Sequence, residues 1–139
     1  MVRNDFDVVV VGAGPVGLWL ASELALAKVN VIVFERRAEL VTQSRALAIH
    51  GRTLEVFALR GLADRFLSRG RRIPTGHFGG LDTPLDFSVF DTRFPFVQLL
   101  PQATTESVLE QRVLELGVDV RRRDHRAARR RRLYRGPKR

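Results

Sequence analysis

A truncated α/β fold of the Rossmann type, built on a βαβ unit that binds FAD or NAD(P), is what this sequence predicts. Three observations predict it. An apolar run over 6–11 ends in the turn Gly12-Ala-Gly-Pro-Val-Gly17, apolar residues at helical spacing follow, and a second apolar run, Val31-Ile-Val-Phe, closes on Glu35, 18 residues after Gly17. A G-x-G-x-x-G turn alone is a weak signal. Between a strand and a helix, with an acid at that distance, it specifies a dinucleotide site.

The elements follow in order. Residues 6–11, rich in valine, read as a buried parallel strand. Pro15 suits the first turn of a helix, where its missing N–H costs nothing. Leu18, Leu20, Ala21, Leu24 and Ala25 carry that helix over 15–28, and residues 30–35 form the second strand. Residues 36–51 read as a connecting loop. Leu54, Phe57 and Ala58 predict a helix over about 52–60, terminated by Gly61, with a shorter helical piece over 62–68. Glycines and prolines crowd 70–84, and Leu85-Asp-Phe-Ser-Val-Phe90 alternates, so 70–101 reads as a strand-and-turn excursion. Helix returns over 102–116 with Val108, Leu109, Val113 and Leu116 on one face. Gly117 caps it and Val118-Asp-Val120 begins a further strand. Residues 1–120 are thus expected to form the N-terminal part of one nucleotide-binding domain.

Charge argues against nucleic-acid binding by the body of the chain. The net charge is +9, yet residues 1–120 carry a net −1 and residues 121–139 a net +10. The body has no basic excess for nucleic acid, and the arginine-rich end is expected to adhere only nonspecifically. Residues 121–139 cannot bury an apolar face and are expected to be a disordered basic tail. Their Arg, Ala, Gly and Pro are what GC-rich codons give when read out of frame, which predicts a frameshift near 121–126. The absence of cysteine excludes disulfides and thiolate catalysis. His50, His77 and His125 have no metal-ligand spacing, so no metal site is predicted. Asp5 and Asp7 fall where a secretory signal would be positive. No run reaches the ~18–20 apolar residues needed to span a bilayer, and a cytoplasmic protein is expected.

The first turn has a role for each residue. Gly12 permits the tight exit from the strand, Gly14 lets backbone approach a pyrophosphate, and Gly17 lets the helix pack close to the sheet. The pyrophosphate would sit at the helix N-terminus, where free N–H groups and the dipole favour anions. Glu35 is placed to accept hydrogen bonds from the adenosine ribose hydroxyls. A carboxylate there repels a 2′-phosphate, which favours FAD or NAD over NADP.

With Pro15 and Glu35-Arg36-Arg37 added, the fingerprint resembles the N-terminus of FAD-dependent aromatic-ring monooxygenases of the para-hydroxybenzoate hydroxylase type. Ser44-Arg-Ala-Leu-Ala-Ile-His-Gly-Arg-Thr-Leu-Glu-Val-Phe57 resembles that family's arginine loop and following helix. Leu100-Pro-Gln-Ala-Thr-Thr-Glu-Ser-Val-Leu-Glu110 resembles its Pro-Gln element. The resemblance spans residues 5–122 and is strongest to hydroxylases of aromatic polyketides and phenols. It implies that Arg45 lies near the flavin and its pyrophosphate, that Gln102 hydrogen-bonds the cofactor, and that Arg36 or Arg37 runs along the adenosine. A complete member would use NAD(P)H and O2 to hydroxylate an aromatic small molecule, with FAD carrying the redox chemistry. The family's later Asp-Gly and Gly-Asp segments are not matched, so this chain is expected to be inactive alone.

No side chain stands out as a catalytic acid or base. Arg52 reads as surface charge, His50 as a packing or capping residue, and His77 has no evident partner. Two other readings compete: a small dinucleotide-binding module with an arginine-rich nucleic-acid-binding tail, and an NAD-binding oxidoreductase fragment.

Overall fold

The computed structural model describes residues 6–39, 46–80 and 82–123. They divide into two compact units, one from 1–40 with 109–139 and the other from 41–108. The division splits the single domain read from the sequence, because the chain leaves the first unit after the βαβ hairpin and re-enters it within a helix.

The first unit is the βαβ fingerprint extended by one strand. Strand β1 (Val8–Val11), helix α1 (Pro15–Leu26) and strand β2 (Val31–Glu35) follow the predicted order. A later strand, Asp119–Arg122, pairs parallel with β2, giving a three-stranded parallel sheet with β2 in the middle. Val10, Leu18, Ala21, Val31, Ile32, Val33, Leu109 and Val113 are all buried and make its core.

That last strand runs on to Arg122, so Arg121 and Arg122, counted with the basic tail in the sequence, are strand residues. Parallel pairing uses backbone groups and needs no apolar side chain. The two arginines are also supported individually. Arg121 Nε donates to Asp119 Oδ2 at 2.8 Å, and Arg122 donates to Glu110 Oε1 through Nε and Nη2 at 3.1 and 2.9 Å. The expectation for 124–139 lies outside the described residues.

Central parallel strands bury both faces, and β1 does not. Val9 is 56% exposed and Val11 85%, on an edge strand, with the exposed Phe34 in register with Val11. Bare apolar edges promote association. Replacing Val9 and Val11 together by threonine keeps β-branching and is expected to reduce self-association in light scattering. The two exposed changes should alter stability by less than about 1 kcal/mol.

The second unit is an antiparallel sheet on two short helices. Strand β3 (Ala48–Ile49) leads into α2 (Gly51–Ala58) and α3 (Ala63–Leu67). Strand β4 (Arg71–Ile73), the hairpin β5 (Thr75–Gly76) and β6 (Leu85–Asp86), and β7 (Val97–Leu99) fill the predicted excursion. The sheet order is β3-β7-β4. Strand β3 was read as loop because two residues are too few to show alternation; it forms by pairing with β7, fifty residues on. Helix α4 (Gln102–Glu115) starts in this unit, and strand β8 is the Asp119–Arg122 strand already described. Phe57 stacks on Phe66 at 4.3 Å, closing α2 on α3. Gly117, at φ 78°, stops α4.

Candidate functional site

The strand β1 must turn into α1 within three residues. Gly12 does so at φ 108°, a left-handed conformation disfavoured for side-chain-bearing residues, while its N–H donates to Phe34 O at 2.7 Å. Gly17 is required for a different reason. A Cβ there would lie 2.0 Å from the Gly12 carbonyl oxygen, so α1 crosses the turn too closely for any side chain.

Gly14 is different again. It is the N-cap of α1 at φ −80° and ψ 177°, an extended conformation open to any residue, and a Cβ there would meet no protein atom within 4 Å. Neither backbone conformation nor packing calls for glycine at 14; the space beside it is open. Helix α1 has Pro15 at its start, no side-chain cap and no acidic residue in its first turn. The first-turn N–H groups of Val16 and Gly17 have no intrahelical acceptor. Free first-turn N–H groups and the helix dipole are features that favour an anion.

Glu35 reaches into the same turn. It is 7% exposed, and its Oε2 accepts the Ala13 N–H at 2.8 Å. Its Oε1 accepts the Arg37 N–H at 2.8 Å, with Arg37 Nε at 3.6 Å. Burial pushes the carboxyl pKa up, but the two backbone N–H groups and the charges of Arg37 and Arg122 outweigh it and hold the pKa below the usual range. Glu35 is thus ionised at neutral pH. Each carboxylate oxygen keeps further acceptor capacity, enough for a vicinal diol.

The structure brings Gly12, Gly14, Pro15, Gly17 and Glu35 together in the first unit. Of the two arginines after Glu35, Arg37 is the one that contacts the acid, while Arg36 is exposed. Arg45 lies outside the described residues. Gln102 belongs to the second unit, where its N–H donates to Ala46 O at 3.0 Å and its Nε2 donates to the buried Glu106 at 2.8 Å. Sequence reasoning missed the Ala13 N–H and Arg122. The first is invisible because alanine carries no signal. The second sits level with Glu35 only through the β2–β8 register. Among the described residues no group of three or more His, Asp or Glu is placed to hold a metal ion.

Comparison with known proteins supports the nucleotide reading. A family model described as an FAD binding domain matches residues 5–131. An aromatic compound monooxygenase of Bacillus subtilis, itself uncharacterised, is 51% identical over 115 residues, 83% of this chain and 23% of that protein. The 12-dehydrotetracycline 5-monooxygenase/anhydrotetracycline 6-monooxygenase of Streptomyces rimosus is 49% identical over 117 residues, 84% of this chain and 23% of its own. Among solved structures, an anhydrotetracycline hydroxylase from Streptomyces rimosus superposes with a TM-score of 0.82 at 49% identity, over 84% of this chain and 24% of that one. The chain spans about a quarter of the length of the relatives it matches.

Proposed function

This chain belongs to the FAD binding domain family, and from that premise we propose that it supplies the ADP-holding part of a flavin-dependent monooxygenase. The reaction proposed for the whole enzyme is hydroxylation of an aromatic small molecule with NAD(P)H and O2, in the cytoplasm. The observation that carries the reading is the open, uncapped start of α1 beside Gly14, with an ionised Glu35 tied to the same turn.

FAD, when bound, supplies the redox chemistry that no side chain can. The residues here bind and orient it. The Val16 and Gly17 N–H groups hold the pyrophosphate, and Gly14 gives it room. Glu35 accepts from the adenosine ribose hydroxyls, and its charge disfavours a 2′-phosphate. Arg37, through its N–H and guanidinium, keeps Glu35 ionised and aimed. Arg36 is proposed to run along the adenosine, and Arg45 and Gln102 to contact the flavin side, as the family resemblance implies. No helix among the described residues is long and apolar enough to cross a membrane.

Titration of the chain with FAD, ADP, riboflavin and NAD, followed by calorimetry, tests this. FAD should bind, ADP should compete with it, and riboflavin should not. Preference for NAD over FAD would overturn the reading in favour of an NAD-binding fragment.

A further inference from the structure

The arginine level with Glu35 is bound to a different carboxylate. Glu35 on β2 and Arg122 on β8 are partners in register, and partners on neighbouring strands point to the same face about 5 Å apart. A guanidinium so placed could close directly on Glu35. Instead Arg122 Nε and Nη2 both donate to Glu110 Oε1 on α4, at 3.1 and 2.9 Å. All three residues belong to the first unit.

The Arg122 and Glu110 side chains are only 20% and 17% exposed. A cation so covered is costly to leave unpaired, so an arginine deprived of Glu110 turns to the next carboxylate within reach. Asp119 is not that partner. Positions 119 and 121 point to the opposite face of the sheet from 122, and there Arg121 already holds Asp119 at 2.8 Å. The carboxylate beside Arg122 on its own face is Glu35.

The consequence falls on the ribose of the ligand. Glu35, left clear of Arg122, keeps lone pairs for a vicinal diol, and its charge repels a 2′-phosphate. With Arg122 closed on it, those lone pairs would be filled. A guanidinium would then face the 2′ position, the arrangement that accepts a 2′-phosphate. We infer that Glu110 is a positioning residue which, by holding Arg122 away from Glu35, sets the ribose end of the ADP site to accept a free diol and refuse a 2′-phosphate. The inference rests on the proposed ADP-holding reading and gives that site a determinant on α4, one residue removed from the ligand.

The chain and its variants are titrated by calorimetry with FAD, ADP-ribose and 2′-phospho-ADP-ribose; the last two differ only at the 2′ position. Wild type should bind FAD and prefer ADP-ribose to its 2′-phosphate. Glu110→Leu keeps a good helix former on α4. It should weaken FAD and ADP-ribose about tenfold, the worth of one hydrogen bond to a charged acceptor, and should tighten the 2′-phosphate. Arg122→Met breaks the same ion pair but frees no cation, and should cost FAD no more than about threefold, the size of an indirect charge effect. The double variant Glu110→Leu/Arg122→Met replaces the pair by apolar side chains and should return FAD affinity to the level of Arg122→Met. A pair that served stability alone would give like losses in the two single variants and leave the choice at the 2′ position unaltered, and that result would overturn the inference. Glu110→Gln keeps the volume and a weaker acceptor, so it should move both ADP-ribose ligands the same way by less. It decides the matter should Glu110→Leu not fold, and an unchanged 2′ preference there also counts against Glu110. Wild-type FAD binding with either adverse result sinks this inference alone. No binding of FAD or ADP-ribose by wild type sinks the ADP-holding reading with it.

Discussion

Gly17→Ala is expected to destabilise the chain by about 3 kcal/mol or more, at the severe end of overpacking. The added methyl would lie 2.0 Å from the Gly12 carbonyl oxygen and 3.2 Å from its carbon. Neither atom belongs to a flexible side chain, so α1 must shift bodily or the Gly12 turn must break. Because the same turn aims the anion site, flavin affinity should fall with stability. Gly14→Ala is the informative partner. Its methyl enters open space at an ordinary backbone conformation. Alanine is a poorer N-cap than glycine but costs the unfolded chain more freedom, so stability should move by less than about 1 kcal/mol. FAD affinity should nevertheless fall more than tenfold, because the methyl fills the approach to the helix N-terminus. Thermal melts and flavin titrations of the two variants separate the roles. A Gly14→Ala chain that binds FAD as well as wild type would show that the ligand does not pass there.

Glu35→Ala should be almost as costly. It orphans the Ala13 and Arg37 N–H groups and leaves Arg37 without its ion pair. Unsatisfied buried donors cost about 1–3 kcal/mol each, partly relieved by water at this site, so a loss of about 2–3 kcal/mol is expected. Glu35→Gln keeps one acceptor and should cost less, which isolates the charge. The pH dependence has a definite sign. The folded pKa of Glu35 lies below the unfolded value, so the native state binds its proton less readily than the unfolded chain. The stabilisation is therefore complete above the ordinary glutamate pKa of about 4.3 and is lost as pH falls through the lowered folded value. Wild type and Glu35→Gln should differ at neutral pH and converge in acid, as followed by denaturant melts. A gap that widens on acidification would contradict this account of Glu35. FAD affinity of Glu35→Gln should also drop at least about tenfold, the worth of one hydrogen bond to a charged acceptor.

Much of the first unit was legible because its signals are local. A β-branched run, a glycine turn, Pro15 at a helix start and an acid at fixed spacing each declare their structure within a few residues. The helix read over 102–116 forms over 102–115, and of the face read from its period Val108, Leu109 and Val113 are buried while Leu116 is half-buried. Local signals also placed the excursion at 70–101, but they could not say which strands pair. The two-residue β3 exists only by pairing with β7, and β7 also pairs with β4. That register is what puts Arg71, Ile73, Val97 and Leu99 on one face.

The chemistry of the site divides the same way. Composition and spacing alone determined that a βαβ unit of the dinucleotide-binding type closes on Glu35, and that the excess positive charge falls in residues 121–139. Tertiary structure decided how the acid is held: by the amide of Ala13, by Arg37 rather than Arg36, and with Arg122 level with it on β8. It also carried the last strand through Arg121 and Arg122, where side-chain pattern had already ended. The reason is common to these cases. Turns and helices are written in neighbouring residues, whereas strand register and backbone hydrogen bonds join residues far apart in sequence, through groups that every amino acid carries alike.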